Sequence, residues 1–267
     1  MDEESLGWEE LFVNGSGNEV TLDINDLSKP TVFRGVVKRK HIQRCWIEKR
    51  DFFYMDTGYF GNFQSTANPG GKKIWHRIVK NQVQNIEISN CPGDRWENLV
   101  KGDPRLKWTG WKTKGNKILV IVPNRKSCIF YGQDLDPYKD DKRPWLDSTI
   151  ETLKKYTDMK IVVREKASRS ARHNYSIYDA LDEGVFATVA FNSIAALESI
   201  VYGIPAFVSV PCAASPLAST DLTKIMTPYY PDSDIVQQHC RGLAYSQFTG
   251  EEISNGYAWK LLRKYSR

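Results

Sequence analysis

The sequence predicts an α/β protein in which a reduced first domain precedes a Rossmann-like second domain. Three observations predict this fold: a length of 267 residues, a strand-and-helix alternation that begins near residue 117, and an uneven distribution of charge. A chain of this length can bury one large core or two small ones. Its hydrophobic share of 41% is too high for a disordered chain.

The second half alternates short apolar runs with segments of helical spacing. The runs typical of buried parallel strands are 117–124, 160–164, 185–191 and 205–210. Segments of helical periodicity lie between them at 144–156, 176–183 and 192–202. Strand and helix in alternation predict a parallel, Rossmann-like sheet.

The first half has fewer regular signals. Strands are predicted at 31–33, 52–55 and 83–88, with a Gly/Asn-rich loop at 58–71. We expect a smaller α/β domain over 1–116 and the Rossmann-like domain over 117–248. Segment 249–267 is predicted as a C-terminal helix that packs back towards the first domain, with Thr249 and Glu252 at capping-box spacing.

The net charge of +5 conceals a separation of charge along the chain. Residues 1–26 hold eight acids and no Lys or Arg, whereas residues 27–126 hold 21 Lys and Arg against seven acids, a net +14. Cations interleaved with Trp side chains are typical of a nucleic-acid surface, since the cations neutralise phosphates and the rings stack on bases. The alternative is a solvated basic face whose Trp residues belong to the core.

The segment 191–207 carries the strongest local signal for a binding site. A strand ends at Phe191, and Asn192 and Ser193 then open a helix whose first-turn N–H groups and dipole favour a phosphate. Glu198 is placed to reach the ribose hydroxyls of a nucleotide held there. The alternative is an ordinary capped crossover helix with a solvent-facing Glu.

This pattern, followed by Gly203-Ile204-Pro205, resembles the donor-binding helix of GT-B glycosyltransferases. The resemblance covers roughly residues 117–262 and is thin over 1–116. It implies a GT-B-like fold, two Rossmann-like domains with a cleft between them and the first domain reduced. It also implies a nucleotide-sugar donor, with a UDP-sugar expected, and no tightly bound cofactor or catalytic metal.

The resemblance further implies roles for residues on both sides of the cleft. The expected donor-binding residues are Asn124, Arg164, Lys166, Asn192, Ser193 and Glu198. Asp56, near a predicted strand end, is the candidate base for the acceptor hydroxyl, with an Asx-turn cap as the alternative. The expected acceptor-binding residues are Arg34, Lys38, Arg39, Lys40, Tyr59, Lys72 and Lys73.

Other motifs carry little information. Asp134-Leu-Asp136 and Asp232-Ser-Asp234 match a D-x-D pattern, which chance alone would supply in a chain with this many Asp residues. The five Cys are far apart and predict neither a disulfide framework nor a zinc site. No apolar run approaches the roughly 18 residues of a membrane span, and the acidic start is unlike a signal peptide, so a cytoplasmic protein is expected.

The charge separation and size resemble the bacteriophage enzymes that glycosylate hydroxymethylated pyrimidines in DNA. This resemblance implies DNA as the acceptor, bound through residues 27–126, and the host cytoplasm as the location. One alternative is a glycosyltransferase with a carbohydrate or cell-envelope acceptor. Another is a non-catalytic DNA-binding protein on the same fold.

Overall fold

The computed structural model describes residues 7–18, 26, 28–62, 74–132, 144–165 and 176–265. The chain divides into two compact units. Unit 1 comprises 1–85, 89–96 and 241–267, and unit 2 comprises 86–88 and 97–240. Each unit has its own four-stranded sheet, so the protein is a mixed α/β protein.

The strands and helices have the following bounds in chain order. The strands are β1 (Thr31–Arg34), β2 (Phe52–Thr57), β3 (Trp75–Lys80), β4 (Lys117–Ile121), β5 (Lys160–Arg164), β6 (Val185–Ala190), β7 (Ala206–Val208) and β8 (Gln247–Thr249). The helices are α1 (Trp8–Gly15), α2 (Arg39–Ile47), α3 (Asp94–Gly102), α4 (Arg125–Phe130), α5 (Pro144–Tyr156), α6 (Ile177–Asp182), α7 (Ile194–Val201), α8 (Ser233–Ala244), α9 (Gly250–Ser254) and α10 (Tyr257–Tyr265).

The sheet of unit 2 confirms the parallel arrangement that the sequence predicts. Its strand order is β5-β4-β6-β7, and every neighbouring pair is parallel. Both faces of β6 are buried along its whole length, as continuous apolar runs require. Side chains of β4, α5 and β6, among them Ile118, Leu153 and Val189, pack into one core.

The sheet of unit 1 is mixed and is assembled from distant parts of the chain. In the order β1-β2-β3-β8, β1 and β2 are parallel, whereas β3 is antiparallel to both β2 and β8. Phe53, Ile78 and Phe248 from three of its strands meet Phe12 of α1 and Leu262 of α10 in the core. The C-terminal helices therefore complete the hydrophobic core of unit 1.

Two predictions for secondary structure are wrong. Residues 83–88 form no strand, because the chain turns at Asn81, which has a φ of 58°, and the Val83 carbonyl accepts a bond from the Arg77 side chain. The helix predicted from Thr249 breaks at Gly256, whose φ of 81° lies in the left-handed region, and this break separates α9 from α10. The Thr249–Glu252 capping box is confirmed.

Unit 2 begins earlier in the chain than the predicted Rossmann-like domain. Segment 97–116, which the sequence assigns to the first domain, belongs to unit 2, and segment 241–248 belongs to unit 1. Backbone bonds explain the first difference, since Lys112 N–H donates to the Gly203 carbonyl at 2.7 Å and Asn116 N–H to the Gly184 carbonyl at 3.0 Å.

Candidate functional site

The carboxyl edge of the unit 2 sheet is the part of the fold suited to bind a ligand. Strand β4 lies between β5 and β6. The connection from β4 leads to β5 on one side, and the next connection leads to β6 on the other side of β4, so the strand order reverses at β4. Open α/β sheets bind ligands at such a switch point, outside the carboxyl ends of the strands. The topology brings four predicted donor residues to this edge: Asn124 after β4, Arg164 at the end of β5, and Asn192 and Ser193 after β6.

The connection from β6 to α7 has the predicted capped geometry. The Ser193 hydroxyl accepts a hydrogen bond from Ala195 N–H at 3.2 Å and forms the N-cap of α7. Ala195 and Ala196 are buried, whereas Asn192 and Ser193 are half-buried. The first turn of α7 therefore presents backbone amides and a positive dipole end beside two polar side chains.

Asn124 holds the equivalent position after β4. Its side-chain oxygen accepts a hydrogen bond from Ser127 N–H at 2.9 Å, so Asn124 caps the short helix α4. The residue is exposed. The cap uses the side-chain oxygen, and the side-chain amide nitrogen of an Asn is a hydrogen-bond donor.

Glu198, on the second turn of α7, has the most perturbed carboxyl group of this site. Burial raises its pKa to about 7, and the nearby carboxylate of Asp103 adds to the rise. The cations of Arg164 and Arg105 act in the opposite direction and favour the ionised form. At neutral pH this half-buried carboxyl group therefore lies close to the midpoint of its titration.

The cation Arg105 is fixed by two neighbours from unit 2. Its Nε and Nη2 atoms donate to the two oxygens of Asp103 at 2.7 and 2.6 Å, and Asp103 is buried. The guanidinium carbon lies 4.6 Å from the ring centroid of Tyr178 on α6. This bidentate bond and the ring contact orient Arg105, because both require the plane of the guanidinium to stay fixed.

Sequence reasoning missed Asp103, Arg105 and Tyr178 as neighbours of Glu198. Asp103 caps, and Arg105 lies in, a Pro-containing 3-10 turn that ends 88 residues before α7 begins. Their local pattern is that of an ordinary turn, and nothing in it indicates a partner on a distant helix. The only signal in the sequence was the basic character of the segment, and charge alone does not indicate which distant residues it contacts.

Arg164 lies where the sequence places it, at the carboxyl end of β5. Its carbonyl accepts a hydrogen bond from Val122 N–H at 3.0 Å, which extends the pairing of β5 with the chain beyond β4. The side chain is half-buried and interacts electrostatically with Glu198. Lys166, the second predicted phosphate-binding cation, lies outside the described residues.

Asp56, the predicted base, lies on β2 in unit 1 and is already bound by three donors. Its oxygens accept hydrogen bonds from Thr57 N–H at 2.7 Å, from the Tyr54 hydroxyl at 3.1 Å and from Arg77 Nη2 at 3.1 Å. The Arg77 side chain is buried, and it also donates to the carbonyls of Thr57 and Val83. Asp56 therefore neutralises a buried cation, while its own side chain is 40% exposed.

The predicted acceptor-binding residues divide into three groups. The cations Arg34, Lys38, Arg39 and Lys40 are exposed. Tyr59 is 2% exposed, and its hydroxyl accepts a bond from Asn85 N–H at 2.7 Å, so it is a core residue and offers no surface to an acceptor. Lys72 and Lys73 lie outside the described residues.

The described residues form neither a metal-binding cluster nor a membrane-spanning helix. Within those ranges, no three His, Cys, Asp or Glu side chains come together in a way that could hold a metal ion. The D-x-D residues Asp134 and Asp136 lie outside the ranges. In the part of the chain that the structure describes, the helices are all too short or too polar to cross a bilayer.

Comparison with known proteins gives a distant structural similarity. No family model and no curated protein matches the sequence. Among solved structures, the chain is similar to Thermosulfurimonas dismutans KpsC, beta Kdo 2,7 transferase, with 11% identity, 91% of each chain covered and a TM-score of 0.48. It is also similar to KpsC, beta Kdo 2,4 transferase, of the same organism, with 11% identity, 82% of this chain and 80% of that chain covered, and a TM-score of 0.47. At these values the similarity assigns neither a family nor a substrate to this chain.

Proposed function

We propose that the protein is a glycosyltransferase that binds a nucleotide sugar at the carboxyl edge of the unit 2 sheet. The observation that carries the proposal is the carboxyl group of Glu198, which interacts electrostatically with the cations Arg164 and Arg105 on a helix that starts at a switch point of a parallel sheet. A titratable group with a perturbed pKa at such an edge is a candidate for a functional site. The class of transferase rests on the family resemblance of segment 191–207.

The donor-binding step follows from the chemistry of this edge. A diphosphate carries negative charge and accepts hydrogen bonds, which the first-turn amides of α7 and the Arg164 guanidinium supply. Ribose hydroxyls donate hydrogen bonds, and Glu198 supplies the acceptor. A UDP-sugar is the proposed donor, and no metal or tightly bound cofactor is required by the proposal.

The transfer step is a substitution at the anomeric carbon. An oxygen of the acceptor forms a new bond to that carbon, the bond from the carbon to the diphosphate breaks, and the nucleoside diphosphate leaves. The hydroxyl proton passes to a base, for which Asp56 is the proposed residue. Since Asp56 also neutralises Arg77, its substitution affects stability as well as rate.

The donor proposal is tested by calorimetry with UDP and with a panel of other nucleotides. Glu198→Ala and Arg164→Ala should each weaken nucleotide binding by about 1–3 kcal/mol, the cost of leaving a partner of a charged hydrogen bond unmet. Glu151→Ala is the matched control, since Glu151 is exposed on α5. Absence of nucleotide binding by the wild type would refute the donor site.

The acceptor has two candidates. The first, a hydroxymethylated base in phage DNA, rests on the charge of residues 27–126 and is tested by incubation with hydroxymethylcytosine DNA and a panel of nucleotide sugars. The second is a carbohydrate or cell-envelope acceptor. The exposed apolar side chains of Val37 and Ile47 among the same cations favour the second candidate, because phosphates do not require them.

A further inference from the structure

Helix α2 and the turn before it carry a surface that combines cations with exposed aliphatic side chains. We define the α2 surface as Val37, Lys38, Arg39, Lys40, Arg44 and Ile47. We infer that the α2 surface binds the anionic face of a lipid membrane, with Val37 and Ile47 entering the interfacial layer. The inference does not depend on the proposed transferase activity.

The apolar part of the surface is unusual in its exposure. Val37 is 71% exposed and Ile47 is 83% exposed, more than any other large hydrophobic residue among those described. Single exposed apolar residues are common on soluble proteins, but Val37 lies in the turn just before the nine-residue helix α2 and Ile47 is the last residue of that helix. Trp46, next to Ile47, is 40% exposed, and its indole N–H is held by the Asn81 carbonyl at 2.8 Å.

The arrangement along α2 places cations and an aliphatic side chain on one face. Lys40, Arg44 and Ile47 are spaced i, i+4 and i+7, so they lie in one row along the helix. Ile42 and Cys45 lie on the opposite face and are buried. The inner face of α2 therefore packs against the protein. Its outer face is basic and carries one exposed aliphatic residue.

The charge of this segment complements an anionic surface. Residues 37–50 hold six Lys and Arg and one acid, Glu48, a net +5. Glu48 pairs with Arg44 at 2.7 Å. In the described part of the chain, no acidic side chain forms a salt bridge with Lys38, Arg39 or Lys40. Their charge is thus available to anionic headgroups.

The two aliphatic side chains distinguish a membrane from a nucleic acid. Phosphates of DNA attract the cations equally well, but they gain nothing from Val37 and Ile47, which would remain hydrated beside the polar backbone. A membrane interface takes both parts of the surface, since headgroups pair with cations while aliphatic groups enter the acyl boundary. The α2 surface therefore fits an anionic lipid layer better than DNA.

The test is co-sedimentation of the full chain with vesicles of phosphatidylcholine alone and of phosphatidylcholine mixed with phosphatidylglycerol. The wild type should bind the mixed vesicles, and rising salt should weaken the binding. Lys38→Ala/Lys40→Ala should lower the partition coefficient about 25-fold, about five-fold for each cation. Val37→Ser/Ile47→Ser should lower it about ten-fold at unchanged charge.

Two controls and two outcomes decide the inference. Lys154→Ala/Lys155→Ala removes the same charge from exposed positions on α5 and should leave vesicle binding within about two-fold. Equal thermal melting of all variants shows that the fold is retained. Absence of binding to mixed vesicles would overturn the inference. Vesicle binding by Val37→Ser/Ile47→Ser that equals that of the wild type would also overturn it. If duplex DNA binding were then lost in Lys38→Ala/Lys40→Ala but kept in Val37→Ser/Ile47→Ser, the α2 surface would be a nucleic-acid-binding surface.

Discussion

Replacing Glu198 by Gln should change how the stability of the protein depends on pH. The ordinary pKa of a Glu side chain is 4.5, and burial raises the pKa of Glu198 to about 7 in the folded protein. Between these values the folded state holds a proton that the unfolded state has released. The free energy of unfolding of the wild type should therefore fall as the pH rises from 4.5 to 7, and the loss should be complete above pH 7.

The magnitude follows from the size of the shift. A shift from 4.5 to about 7 corresponds to at most about 3.4 kcal/mol at 1.36 kcal/mol per pKa unit. Because Glu198 is half-buried and solvent screens part of the interaction, we expect about 1–2 kcal/mol. Gln cannot ionise, so Glu198→Gln should be more stable than the wild type at pH 8 by this amount and nearly equal to it at pH 4.5.

The assay is urea unfolding followed by Trp fluorescence at several pH values between 4.5 and 8. Glu151→Gln is the control, because Glu151 is an exposed carboxylate on α5 of the same unit. The difference between Glu198→Gln and wild type should grow across the window, whereas the difference for Glu151→Gln should stay flat. A flat difference for both variants would show that Glu198 ionises like an exposed carboxylate and would refute the reasoning.

Two predictions concern the core of unit 1. Arg77→Met should cost about 2–4 kcal/mol, since it leaves the Asp56 carboxylate without its cation and two carbonyls without a donor; a loss under 1 kcal/mol in urea unfolding would contradict this. Gly256→Ala should lower the stability by about 2–3 kcal/mol, because its φ is 81° and a Cβ would overlap the Gly15 carbonyl oxygen. Gly17→Ala is the matched control, with a φ of 76° and open space around the Cβ, and should cost about 1 kcal/mol when both Gly variants are measured by urea unfolding.

The parts of the fold that the sequence predicts are those whose signals are contiguous. Strand β6, the cap at Ser193 and helix α7 follow one another within 17 residues, so apolar runs and a capping residue suffice to place them. The parallel sheet of unit 2 consists of such segments. Because each of these strands is predicted from a contiguous segment, the sequence also predicts that Asn192, Ser193 and Arg164 lie at one edge of the sheet. No tertiary contact has to be known for this prediction.

The parts that the sequence does not predict depend on partners far along the chain. Strand β3 pairs with β8, and Trp75 is opposite Thr249, so no local pattern defines that edge of the sheet. Arg77 belongs to a segment whose cations suggest a surface, yet it is buried because Asp56 and two carbonyls take its donors. Burial of a cation is decided by its acceptors, and here those acceptors lie on other segments.

The stability and binding measurements on Glu198 test separate claims. The pH dependence of unfolding requires only that the half-buried carboxyl group is desolvated and interacts with the charges of Asp103, Arg105 and Arg164, whatever ligand binds there. Nucleotide binding requires in addition that ligand hydroxyls reach the carboxylate. A residue that lowers stability at neutral pH is more easily understood at a binding site than in an ordinary core, since an apolar or amide side chain would stabilise the fold. If the free energy of unfolding depends on pH as expected but no nucleotide binds, the charged cluster around Glu198 remains a candidate binding site. Only its assignment to a nucleotide-sugar donor would then be refuted.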